Sequence, residues 1–380
     1  MPHRKKNDTD LTGIRVAIAH DYLTQRGGAE RVVMSLIRAF PDAPVFTTLY
    51  NPATSYPEFR DVKIVTSPLN RSRTLRADHR KALPLLARAS DHMRIDADVV
   101  VASSSGWAHS FHTTGKALVY CHNPARWLYQ TDEYLGDAGP LSPRRLVMGA
   151  LAAPLRSWDR RAARRADKYL ANSRVVRRRI ADTYGIEADF VPPPHSIDPA
   201  GSQEPVEALA DWQDGYHLIV SRLMPYKNVD QALEAVRDLP DERLVVVGSG
   251  PLAEQLAAQA PANVRMLSGL SDAQLRWTYG HATALVAPSH EDFGLTPLEA
   301  ASFGKPTLAL HAGGYLDTID PSVNGMFFEA PRPDDIRAAI IAGRDRAWDA
   351  DAIRAHADLF SEARFISRLR REVAALAARR

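Results

Sequence analysis

A single cysteine, Cys121, stands in 380 residues, so no internal disulfide is possible and a disulfide-stapled scaffold is excluded. Apolar runs are short. None approaches the ~20 residues of a membrane-spanning helix, and the longest candidate, Leu146 to Leu155, is about half that length. The N-terminus, Met1 to Lys6, leads into polar residues and not into the apolar core of a signal peptide, so a cytoplasmic protein with a flexible leader over 1–13 is expected. The Gly-x-Gly-x-x-Gly fingerprint of dinucleotide binding is missing after the first strand, which leaves a dehydrogenase unsupported. No His/Cys cluster has zinc spacing. The arginines lack an interleaved aromatic platform or a recognition helix, and nucleic acid is not expected as a partner.

What is present is a chain of 45% hydrophobic residues, long enough for two ordinary domains. Its net charge of +3 hides an asymmetry: residues 1–200 hold 30 Lys and Arg against 20 Asp and Glu, or +10, which leaves 18 against 25, or −7, beyond. The bias is densest from Arg144 to Arg179, among Leu146, Met148, Leu151, Leu155 and Trp158. Such a region is either a solvated helix face or a surface for an anionic membrane or a lipid-linked phosphate.

The segment from Ala284 to Leu310 reads as one compact unit. Ala284–Ala287 is a buried strand, His290–Gly294 a loop, and Leu310 closes a second strand. Between them Thr296, Pro297 and Glu299 predict a helix start with a capping box, and Gly304 and Pro306 end that helix after two turns. A helix N-terminus entered through Gly294 exposes unpaired backbone N–H groups under a positive dipole end, a seat for a diphosphate. Glu291 and Glu299 lie eight residues apart and can face one ligand; as a capping-box residue Glu299 bonds only to the backbone of Thr296 instead.

At these residues the chain resembles the retaining glycosyltransferases of family 4, whose hallmark is Glu-x7-Glu. The resemblance implies that Glu291 faces the donor sugar, that Glu299 holds the ribose hydroxyls, and that the amides of Gly294, Leu295 and Thr296 contact the diphosphate. It extends over nearly the whole chain after residue 13. The implied fold is α/β, of the GT-B type: two Rossmann-like, doubly wound parallel-sheet domains facing a cleft.

Strands read at Ile14–Ala19, Ala43–Tyr50, Val62–Ser67, Asp98–Ser105, Ala117–Asn123 and Lys168–Ser173, with helical patterns between most of them. Ligands of such a sheet sit beyond the carboxyl ends of its strands, a rule that selects His20-Asp21, Ser103 to Ser105, His122-Asn123 and Asn172-Ser173. Gly27-Gly28 is either a tight turn or, by the resemblance of HDYLTQRGGAERVV, a place where backbone approaches the diphosphate and sugar. His122 is either a structural histidine or, by the resemblance of VYCHNPARWLY, the group at the reaction centre. Asp21, Arg126 and Trp127 are then expected at the acceptor, and His109 and His112 are read as ordinary polar residues.

The expected boundaries are 14–198 for the acceptor-side domain, 199–215 for a linker, 216–348 for the nucleotide-sugar domain and 349–380 for a helical region that packs back on the first domain. The second domain opens with SRLMPYKN, where Arg222 and Lys227 follow a strand end; the resemblance gives both to the diphosphate, the arginine bridging two oxygens and the lysine acting as a point charge. Later strands read at Leu244–Gly250 and Asn263–Gly269. Leu270 is expected against the base, and Val323–Phe328 as a hairpin-like turn into a strand.

Asp-Ala-Asp occurs at Asp96–Asp98 and at Asp349–Asp351, neither placed for a diphosphate–metal pair, so no metal or other cofactor is expected. One carboxylate, Glu291, is expected at the sugar, where a double-displacement enzyme needs two about 5 Å apart; same-face attack assisted by the leaving phosphate is the expected route. The acceptor is expected to be lipid-linked or a glycan. The segments quoted look nearest to bacterial mannosyltransferases, which puts GDP-mannose first as donor and a UDP-sugar second. A sugar-nucleotide epimerase or hydrolase, or a non-catalytic nucleotide-sugar binding module, are the readings set against transfer.

Overall fold

The computed structural model describes residues 11–130, 143–195, 197–212 and 215–379. The expected leader therefore lies almost wholly outside the described residues. Two compact units are present, Met1–Pro193 with Glu362–Arg380, and Pro194–Ser361.

The first unit contains β1 (Val16–His20), β2 (Val45–Thr47), β3 (Ile64–Thr66), β4 (Arg94–Ile95), β5 (Val99–Ser104), β6 (His112–Thr113), β7 (Lys116–Cys121), β8 (Lys168–Ala171) and β9 (Ala188–Phe190). All but β4 and β6, which pair with each other, form a parallel sheet in the order β3-β2-β1-β5-β7-β8-β9. Its central strands are buried along nearly their whole length, which is why they read as continuous apolar runs and not as alternation. The edge strand β9 was not expected; its three residues precede Pro192, and so short a run leaves no periodic signal.

The second unit contains β10 (Tyr216–Val220), β11 (Leu244–Val247), β12 (Val264–Leu267), β13 (Ala282–Ala287), β14 (Thr307–Leu310) and β15 (Gly325–Phe328), in the order β12-β11-β10-β13-β14-β15. All neighbours are parallel. The expected turn into a strand is found at β15, which pairs with β14 in parallel register, Thr307 opposite Gly325 and Leu310 opposite Phe328, so the turn belongs to a crossover and not to a hairpin. Strand order reverses between β1 and β5 in one sheet and between β10 and β13 in the other, which marks the ligand crevice of each.

The segment expected as a linker, 199–215, carries Val206, Leu209 and Trp212 into the apolar core of the second unit. The terminal region divides. Helix Ala350–Asp358 stays with the second unit, while helix Glu362–Ala377 buries Phe365, Leu369, Val373 and Leu376 in the core of the first. Four such side chains contribute roughly 1.5–3 kcal/mol each. Glu362 also accepts from Ser35 Oγ at 2.5 Å, and Lys168 Nζ donates to Glu372 at 2.6 Å.

Candidate active site

At the switch point of the first sheet, β1 ends at His20 and hands the chain to Asp21. Its carboxylate accepts four backbone N–H groups, from Ser105 (2.6 Å), Gly106 (2.9 Å), Trp107 (2.7 Å) and Ala108 (2.6 Å). Ser104 Oγ approaches it at 3.4 Å. The lone pairs of Asp21 are spent on the turn after β5. It borders the cavity and braces the loop, a structural role that stands beside the one expected at the acceptor.

That cavity, of about 190 Å³, is walled by Tyr22, His79, Trp107, His122, Arg126 and Trp127, among others. Tyr22 stacks on His79 with ring centroids 4.0 Å apart, and Trp127 meets Trp107 edge-on at 4.6 Å. His122 Nε2 lies 2.9 Å from Ser103 Oγ. Burial, reinforced by the neighbouring His20, pushes the His122 pKa down to about 3, so the ring is neutral at working pH.

His109, read as an ordinary polar residue, is buried beneath the site. Its Nε2 lies 3.0 Å from Asp159 Oδ1, its Nδ1 lies 3.2 Å from Ser104 Oγ, and Tyr129 Oη donates to Asp159 Oδ2 at 2.8 Å. This network ties the loop after β5 to helix Pro143–Ala163 and to helix Arg126–Tyr129, which carries Arg126 and Trp127. Sequence spacing gave no hint of it, because its members come from three separate segments. Arg160 and Arg164, part of the basic stretch, donate to the carbonyls of Thr183 and Tyr184, and Arg165 to that of Ser110. These three arginines are exposed, so the stretch is in part a solvated face that also braces neighbouring backbone; the side chains of 144–151 lie outside the described residues.

Gly27 is the N-cap of helix Gly28–Ala39 in extended conformation, so a left-handed backbone is not its reason for being glycine. A Cβ there would meet Glu30 Oε2 at 2.6 Å. Glu30 is 1% exposed on the buried helix face, in line with Val33 and Leu36, and burial raises its pKa. An acid among apolar positions at helical spacing was the available signal.

The second unit builds its crevice from β10 and β13. Arg222 follows β10, exposed, with Nη2 donating to Tyr226 Oη at 2.9 Å. Lys227 is 7% exposed and forms an ion pair with Glu291 Oε1, which also accepts from Ser289 Oγ at 2.9 Å. Gly314 N donates to the Glu291 carbonyl at 2.8 Å and so clasps the loop that carries Glu291.

The expected capping box is absent here. Helix Leu295–Ser302 starts two residues earlier than expected, its N-cap is Gly294 at φ 85°, and no side chain caps it. A β-carbon at Gly294 would meet the Tyr315 ring at 2.5 Å. Thr296 lies inside the first turn. Glu299 therefore does not reach back to Thr296; it accepts from Tyr279 Oη at 2.8 Å and is 9% exposed. Among the described residues no side chain caps this helix N-terminus, which suits an anion. A true capping box stands elsewhere, at Ser271 and Gln274, immediately after Leu270, which is half-buried against the core.

Asp96 and Asp98 engage Arg15 at 3.2 Å each, Asp349 caps helix Ala350–Asp358, and Asp351 pairs with Arg354 at 2.6 Å. Both Asp-Ala-Asp matches thus have structural work. Among the described residues no helix is long and apolar enough to cross a membrane.

Comparison with known proteins matches residues 26–200 to Glycosyltransferase Family 4 and residues 205–342 to Glycosyl transferases group 1. The D-inositol 3-phosphate glycosyltransferase of Geodermatophilus obscurus is 32% identical over 232 residues, 54% of this chain and 51% of its own. The D-rhamnosyltransferase WbpZ of Pseudomonas aeruginosa is 32% identical over 161 residues, 38% of this chain and 37% of its own. The chain spans about half or less of the length of these curated relatives. Among solved structures, Anabaena Alr3699/HepE in complex with UDP and glucose superposes with a TM-score of 0.68 at 16% identity, covering 96% of this chain and 100% of that one. The shared fold is GT-B.

Proposed function

Because this chain carries a glycosyltransferase family 4 segment and a glycosyl transferases group 1 segment on a GT-B fold, we propose that it moves a hexosyl group from a nucleoside diphosphate to an acceptor hydroxyl with retention of configuration. The observation that carries the reading is the crevice of the second unit. There Lys227, Glu291, Glu299 and the uncapped start of helix Leu295–Ser302 meet at the strand-order reversal.

The departing nucleoside diphosphate gains negative charge, and donors fixed where that charge develops contribute about 3–4 kcal/mol each in other enzymes. Lys227, Arg222 and the amides of Gly294, Leu295 and Thr296 fill that role without a metal ion or other cofactor. Glu291 faces the sugar, Glu299 the ribose and Leu270 the base. His122 contacts the sugar, and Arg126 and Trp127 shape the acceptor pocket with its aromatic walls. Attack comes from the face the leaving group vacates, and the leaving phosphate takes the acceptor proton.

GDP-mannose is the donor we favour, supported by the likeness of the HDYLTQRGGAERVV and YCHNPARW segments to mannosyltransferases, and a lipid-linked or glycan hydroxyl is the acceptor. Work at the cytoplasmic face of a membrane fits the basic first half. A UDP-sugar is the second reading, favoured by the UDP bound in the Anabaena structure. Isothermal titration with GDP and UDP in EDTA, repeated on Lys227→Ala and Glu299→Ala, tests the whole. Metal-free GDP binding lost in both variants is expected, UDP preference replaces the donor, and no binding of either nucleotide refutes the reading.

A further inference from the structure

Ser103 and Ser104 are neighbours on β5 whose side chains serve separate networks. Ser104 joins Asp21 and His109. Ser103, fully buried, lies between two histidines: its Oγ is 3.1 Å from His20 Nδ1 and 2.9 Å from His122 Nε2. Parallel register fixes this line, with His20 opposite Ser103 across β1 and β5, and His122 following β7, the next strand over.

The direction of these bonds follows from one further contact. His20 Nδ1 also lies 3.0 Å from the Ser103 carbonyl oxygen, which can only accept. His20 Nδ1 therefore carries a hydrogen and is the donor toward Ser103. The serine hydroxyl could accept from both rings, but its contacts among the described residues are these two nitrogens, and with His20 Nδ1 a donor its single hydrogen goes to His122 Nε2. A neutral imidazole whose Nε2 accepts holds its hydrogen on Nδ1. His122 borders the cavity, and burial keeps its ring neutral. Behind His20, Glu30 is within electrostatic reach, with Oε2 buried and without a hydrogen-bond partner.

We propose that His20 and Ser103 are positioning residues that hold His122 as its Nδ1–H tautomer, so that the nitrogen left for substrate is a hydrogen-bond donor and not a base. The proposal rests on the reading of His122 as a substrate-facing group. It deepens that reading: His122 binds a lone pair of a sugar hydroxyl oxygen and orients the ring. It does not remove the acceptor's proton, which leaves that task to the departing phosphate.

Long-range proton–nitrogen correlation spectra of the full chain labelled with 15N-histidine test this, with His122 assigned by loss of its signals in His122→Gln. The expected wild-type spectrum shows a bare Nε2 and a protonated Nδ1. Ser103→Ala shifts His122 toward the Nε2–H form, and Ser103→Thr, which keeps the hydroxyl, restores the wild-type pattern. In turnover, Ser103→Ala lowers kcat/KM by ~10–100-fold, the range typical of lost outer-sphere support, and Ser103→Thr recovers most of it. A protonated Nε2 in the wild type, or an unchanged tautomer in a folded Ser103→Ala, overturns the proposal. Should Ser103→Ala fail to fold, the wild-type spectrum alone still decides. The spectrum is independent of catalysis, so absence of nucleotide binding refutes the functional reading while leaving the tautomer measurable.

Discussion

Replacing Glu291 by glutamine should tighten binding of the bare nucleoside diphosphate while abolishing sugar transfer. The lysine assigned to the diphosphate is paired with the glutamate assigned to the sugar, and Lys227 is almost fully buried around that contact. An incoming diphosphate must take Lys227 from Glu291 and settle beside a carboxylate. Two unit charges 4 Å apart interact by ~1 kcal/mol in bulk water and by ~4 kcal/mol at an effective dielectric constant of ~20. The Glu291 side chain is 28% exposed, which places the pair between these limits. Removing the negative charge should then favour the nucleotide by about 2 kcal/mol, or roughly 30-fold in Kd. Glutamine keeps the size of the side chain and can still accept from Ser289. The assay is isothermal titration of wild type and Glu291→Gln with whichever of GDP and UDP the wild type prefers, at two ionic strengths, with Lys227→Ala as the control that loses binding. Unchanged or weaker nucleotide affinity in Glu291→Gln would refute the argument that the pair is a competitor of the diphosphate.

Asp21→Ala strips the acceptor from four backbone N–H groups, and at ~1.5–3 kcal/mol for a charged hydrogen bond, discounted for non-additivity, it should destabilise the first unit by ~4 kcal/mol or more. Asp21→Asn should cost about half as much; urea denaturation reads both, and a loss of transfer with unchanged stability would make Asp21 a substrate ligand and not a brace. Gly294→Ala sets a side chain at φ 85° against the Tyr315 ring, a strain of ~2–3 kcal/mol that should weaken nucleotide binding ~10-fold or more, by titration. His122, neutral in the fold with a pKa of about 3, gains its proton on unfolding as pH falls below the ordinary ~6.5. Its stability contribution is full above that value and declines toward pH 3, by at most ~1.4 kcal/mol per pH unit, or ~2 kcal/mol between pH 7.5 and 5. Urea midpoints at the two pH values should fall less in His122→Gln than in wild type; equal falls would contradict the buried, neutral ring.

Local chemistry determined much of this in advance. Buried parallel strands declare themselves as Val, Ile and Ala runs, and β5, Val99–Ser104, lies within the expected Asp98–Ser105. Gly294 opens helix Leu295–Ser302 and Gly304, at φ 72°, lies just past its end, because backbone geometry is written in single residues. Strand-end logic selected Asp21, Ser103 and His122, which stand at the carboxyl ends of the neighbouring strands β1, β5 and β7. What it left open was which groups answer one another across the sheet. Thr296 and Glu299 have capping-box spacing, yet Gly294 starts the helix earlier and Tyr279, twenty positions away, takes Glu299. Lys227 and Glu291 are sixty-four positions apart and form one ion pair. Asp21 reads as a strand-end carboxylate, and only the fold shows that it accepts from four amides of a distant turn. A carboxylate or imidazole acquires its role from whichever donor lies within ~3 Å, and only the packing of strands from remote parts of the chain decides which donor that is.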